Sequence, residues 1–114
     1  MISSTDGLLI LKKWKRERTV VSFFALDFAD FASRWEAKIR HADSSTLVVE
    51  MDGSPGDTRT FDLKGAIFDE AQDLSEVPED LPFSDEQLKG LSFFLFIRLA
   101  EGLPIFFAVP ARLN

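Results

Sequence analysis

From residue 34 to residue 52, apolar and polar side chains change places at almost every step. Trp35, Ala37 and Ile39 alternate with Arg34, Glu36, Lys38 and Arg40, and beyond Asp43, Ser44 and Ser45 the positions Leu47, Val49 and Met51 alternate with Val48, Glu50 and Asp52. A period of two turns one face of an extended chain to a core and the other to water; a helix would scatter the same residues around its circumference. Asp and Ser at the interruption bond their own backbone and favour a turn. The segment therefore predicts an antiparallel hairpin with strands at 33–43 and 46–52.

Similar signatures recur along the chain. Thr19, Val20, Val21, Ser22, Phe23 and Phe24 are β-branched or aromatic in the main and predict a first strand over 19–28. After the turn residues Gly53 to Asp57, Phe61 and Leu63 alternate with Thr60, Asp62 and Lys64, which predicts a single strand over 58–68 with an irregularity at Gly65. Strands at 91–100 and 104–110 flank Glu101, Gly102 and Leu103 as a closing hairpin.

Two segments carry the helical period instead. Ser3, Ser4, Thr5 and Asp6 form a helix start with an acid at the positive end of the dipole. Behind them Leu8, Ile10, Leu11 and Trp14 share one side and Lys12, Lys13 and Arg16 the other, with Leu9 alone on the polar side, so a helix is expected at about 5–17. Ser84 and Gln87 form a capping box, Phe83 and Leu88 a hydrophobic staple, and Gly90 a stop, which predicts a short helix over 85–89.

With 114 residues the chain suits one domain. Six short antiparallel strands behind an N-terminal helix predict a mainly-β fold, α+β by element count, built as a small six-stranded barrel or highly curved sheet; a sandwich needs more strand and turn. A helix leading into a short-stranded barrel resembles the SH3-like and Sm-like barrels, several of which assemble into rings and bind RNA. A net charge of −6 and the absence of Tyr argue against nucleic acid here.

Twelve Phe residues stand in this chain, and the pairs Phe23-Phe24, Phe93-Phe94 and Phe106-Phe107 each put a ring on both faces of a strand. A small barrel has one interior, so the second face, carrying Phe94, Phe96 and Phe106, needs a lid. The N-terminal helix or a second copy could supply it, and the pattern points to a homo-oligomer or protein partner held through Phe94, Phe96 and Phe106.

Charge is polarised along the chain. Lys12 to Arg18 carries +4, whereas residues 69–86 hold eight acids and no Lys or Arg. Such a run is expected to stay solvated. The apolar stretches are too short to cross a bilayer, and the N-terminal order of apolar run and cations is the reverse of a secretory signal, so a cytoplasmic setting without a membrane partner is expected.

The residues for catalysis are sparse. There is no cysteine and one histidine, His41, with Asp43 two positions on; a strand would put both on one face, where a carboxylate can orient an imidazole, yet nothing ties a serine to them. Asp27 and Asp30 offer carboxylates three residues apart, and Asp52 to Asp57 lacks the oxygen spacing of a calcium loop. No phosphate-cradling glycine loop is present. The expectation is a non-catalytic domain without cofactor or metal.

One further resemblance rests on two patches. Lys15, Arg16 and Arg18 precede the barrel, and Asp43-Ser44-Ser45-Thr46-Leu47-Val48 gives Asp-x-Ser with Val48 where a glycine would stand. This resembles the PilZ domain, whose arginine-rich arm and Asp/Asn-x-Ser-x-x-Gly motif bind cyclic di-GMP. The resemblance implies an anion-binding role for Arg16 and Arg18, through bidentate contacts to phosphate.

Overall fold

The computed structural model describes residues 2–25, 33–53, 56–72, 90–100 and 104–110. Helix α1 spans Ser4–Glu17, and seven strands follow: β1 Val21–Ala25, β2 Ser33–Ala42, β3 Thr46–Met51, β4 Thr58–Asp62, β5 Ile67–Ala71, β6 Leu91–Arg98 and β7 Pro104–Pro110. All pair antiparallel in one sheet of order β4-β3-β2-β1-β7-β6-β5. Asp27, Asp30, the expected helix at 85–89 and most of the acidic segment lie outside the described residues.

The helix is written by its ends. Ser3 Oγ accepts the Asp6 backbone N–H at 3.1 Å, and at the other end Arg18 takes the left-handed conformation (φ 55°). The Arg18 N–H donates to Lys15 O at 3.2 Å and the Thr19 N–H to Trp14 O at 3.0 Å, a paired closure of the last carbonyls. Gly7, Leu11 and Trp14 form the buried stripe.

Residues 58–68 do not form one strand. Ala66 N–H bonds back to Leu63 O at 3.0 Å, with Gly65 at φ 75°, so Leu63 to Ala66 is a tight turn whose third position favours glycine. The irregularity expected at Gly65 is thus a chain reversal, and the described residues form seven strands in place of six.

That turn dictates the shape. β4 and β5 are neighbours in sequence but occupy opposite edges of the sheet. Flat, seven strands at about 4.8 Å spacing would hold the edges about 29 Å apart, far beyond the reach of a four-residue turn. The sheet therefore curls until its edges meet at Leu63–Ala66. Among the described residues no β4–β5 ladder closes it.

The inner face is the main core. Leu11 and Trp14 of α1 pack there with Val21, Phe23, Ile39, Leu47, Val49, Phe68, Leu95, Ile97, Ile105 and Phe107. Phe107 stacks on Phe23 at 5.1 Å and meets Trp14 edge-on at 6.2 Å. α1 lies against β2 and β5 and so bridges the curl.

The outer face carries a second cluster of Phe24, Ala71, Leu91, Phe94, Phe106 and Ala108, with Phe96 packed against it. Leu91 belongs to this face, not to that of Phe93 and Leu95 as strict alternation predicts, because the β6–β7 register slips between Leu91 and Phe93. A like slip between Ile39 and His41 on β2 turns Ala42 inward and leaves His41 exposed.

Candidate functional site

Between α1 and the strands β5, β6 and β7 lies an open groove of about 700 Å³. Ile10, Trp14, Val20, Phe93 and Val109 give it apolar walls, Thr19 and Ser92 add hydroxyls, and Lys13, Glu17 and Glu70 contribute charge. The walls are held from behind: Trp14 meets Phe93 edge-on at 6.1 Å and Phe107 on its buried side. Val20 remains 37% exposed, and Ile10, Phe93 and Val109 are half-buried, so apolar surface faces water here. An apolar floor edged by two carboxylates and one ammonium suits an occupant with an apolar body and a positive group.

None of these groove residues was singled out as a site from sequence. Trp14 and Phe93 read as core, which they partly are. That they also border an opening depends on where α1 crosses the sheet.

A smaller cavity of about 150 Å³ lies at the other end of the helix, where Ser4 and Leu8 face Ser44, Leu63, Gly65, Ala66 and Phe68.

His41 and Asp43 do meet: Nε2 and Oδ2 are 2.6 Å apart on the exposed end of the β2–β3 hairpin. The other carboxylate oxygen of Asp43 accepts the Ser45 N–H at 2.8 Å, the Ser45 hydroxyl at 3.0 Å and the Thr46 N–H at 2.7 Å. The His41 bond, followed by the Ser45 and Thr46 backbone donors, holds the Asp43 carboxyl well below the usual carboxylate range. Both oxygens of Asp43 are engaged, and Ser45 points at that carboxylate; it is not aligned as a nucleophile on the imidazole. The arrangement pins a turn. Among the described residues no group of three or more His, Cys, Asp or Glu is placed to hold a metal ion.

Arg16 and Arg18 are exposed at the C-terminal end of α1. Ser44, within the Asp-x-Ser patch, lines the small cavity beside Ser4 and Leu8 at the N-terminal end. Twelve residues of helix separate Ser4 from Arg16, about 18 Å at 1.5 Å per residue. The two patches that resemble the PilZ motifs are therefore not brought together around one ligand. No protein-family model, curated protein or solved structure matches this chain.

The three phenylalanines expected to form an interface form a row with a fourth. Phe24 stacks on Phe106 at 4.4 Å, Phe96 lies 5.2 Å from Phe106, and Phe94 stacks on Phe96 at 6.2 Å. Within the single chain Phe94 is 0% and Phe106 1% exposed, so both rings are already out of water without a second copy. Phe96 alone of the three keeps part of its surface exposed. No helix is long and apolar enough to cross a membrane among the described residues.

Proposed function

We propose that this chain is a small non-catalytic binding domain, an incompletely closed barrel of the SH3-like kind, which associates with protein: with itself and with a segment of another chain. The observation that supports this reading is the groove beside α1, where Trp14, Phe93 and Val109 present apolar surface between Lys13, Glu17 and Glu70. Solvent-facing apolar walls with a charged rim match what an extended segment with an apolar anchor and a neighbouring Lys or Arg would bury. The Phe94 and Phe106 rings have no surface left to offer, so the binding surface is shifted from that row to the groove. Nucleotide binding through Arg16 and Arg18 has weaker support, because Asp43 and Ser45 are committed to their own turn at the far end of the helix.

A peptide library displayed on phage and panned against the folded protein tests the reading. Val20→Glu, a substitution at a partly exposed groove position, serves as the counter-selection. Peptides pairing an apolar anchor with a cation, retained by the native chain and lost on Val20→Glu, are the expected result. Equal recovery on both proteins excludes the groove.

A further inference from the structure

The two edges of the sheet are not equivalent. On β5 part of the outward backbone is already used: the Ile2 N–H donates to Phe68 O at 3.1 Å as an isolated antiparallel bridge. On β4 it is open. The Met51 N–H reaches Asp57 O and the Leu63 N–H reaches Ser45 O, both at 2.9 Å. By alternation, the backbone groups of Arg59 and Phe61 also turn toward β3, and those of Thr58, Thr60 and Asp62 turn away from the sheet. All three of these residues are exposed, as is Arg59. Neither a proline nor a bulge guards this edge, two of the devices by which natural sheets avoid pairing with one another.

We propose that a second copy of this chain docks on the free edge of β4, antiparallel about a two-fold axis at Thr60. The proposal rests on the self-association included in the function above and names its surface. Centred on Thr60, the strand is complementary to itself. Thr60 pairs with Thr60 of the partner subunit, and Thr58 with Asp62 of the partner subunit. Each copy donates three backbone hydrogen bonds, from Thr58, Thr60 and Asp62. Arg59 falls opposite Phe61 of the partner subunit, so no like charges stand directly across from each other. Phe61, half-buried at the border of the inner face and 5.8 Å from Phe23, gains cover from the guanidinium stem opposite. A heterologous β4-to-β5 contact, which would propagate into rings or fibres, meets the Ile2 bridge; the two-fold pairing closes at two copies.

Light scattering on a sizing column tests this, with loading from about 20 µM to about 1 mM because a five-residue edge is a small interface. Thr60→Lys and Thr60→Glu are compared with the native chain; circular dichroism verifies the fold, and each variant would put like charges face to face on the axis. The expected result is a native dimer insensitive to salt, at least tenfold weaker dimerisation for each variant alone, and a dimer restored when the two variants are mixed. A native dimer unchanged by Thr60→Lys overturns the β4 edge while leaving self-association through another surface. Loss without rescue on mixing overturns the two-fold register. A native monomer throughout overturns both the edge and the self-association it rests on.

Discussion

A Cβ built on Gly7 would lie 2.2 Å from Cδ2 of Phe68 and 2.6 Å from Cγ, so the first turn of α1 rests its bare backbone on that ring. This is the contact through which the helix seats on β5. It explains a glycine where helix propensity alone favours alanine by about 1 kcal/mol.

Gly7→Ala should therefore destabilise the protein despite the propensity gain. Overpacking of this kind costs about 1–3 kcal/mol, and a net loss of about 1–2 kcal/mol is expected in urea unfolding. Combining it with Phe68→Leu, which makes room, should give less than the sum of the two single losses. Strict additivity would show that Gly7 and Phe68 do not touch.

Arg18 presents the opposite case. It holds the left-handed position after α1, a conformation that costs a residue bearing a Cβ more than it costs glycine. Arg18→Gly should stabilise by about 0.5–1 kcal/mol through relief of backbone strain. A loss of stability would mean that the guanidinium makes a contact worth more than the strain.

Asp43 sets a pH dependence whose sign is fixed. Its carboxyl titrates in the folded state far below the ordinary range, first because of His41 and then because of the Ser45 and Thr46 N–H groups. Its contribution to stability is therefore complete above the unfolded carboxylate pKa of about 4 and drains away as pH falls below that value. Asp43→Asn should be less stable at neutral pH and show a flatter decline between about pH 4 and pH 2. Parallel urea-unfolding profiles for the native chain and the Asp43→Asn variant would show that Asp43 contributes nothing to the acid limb.

The row of outer phenylalanines makes a graded prediction. Phe106, stacked on Phe24, in contact with the tilted ring of Phe96 and fully buried, should cost about 3–5 kcal/mol when replaced by alanine. Phe96, partly exposed, should cost less than half as much. Comparable small losses at both positions would show that this face is not packed within one chain.

Much of the architecture was legible in the sequence, and the particular failures share a cause. Trp35, Ala37 and Ile39 announced β2, and Leu47, Val49 and Met51 announced β3, because one face of each is buried and the other is not. Ser3 and the Leu11–Trp14 stripe announced α1. The parity changes near His41 and Leu91 were invisible, since a bulge inserts one residue that no local pattern marks. Gly65 was visible as an irregularity, yet the assignment of the flanking strands to opposite edges depends on the curl of the whole sheet. The burial of Phe94 and Phe106 and the groove beside Trp14 are likewise properties of assembly, set by residues distant along the chain.

The turn at Leu63–Ala66 also divides the sheet into two runs of sequence. On one side of it β1 to β4 form a meander of neighbouring strands, and on the other β5, β6 and β7 form a second; the two share a sheet through the β1–β7 seam alone, where Phe24 faces Phe106 from more than eighty residues away. Each meander can assemble from nearer partners, whereas the seam closes the longest loop of any strand pairing described, a slow kind of contact to find. Opening that one seam would leave two separately wound ribbons joined by the turn and by α1, which packs on β2 and β5, so the Phe24–Phe106 stack is the zip of the sheet as well as part of its packing.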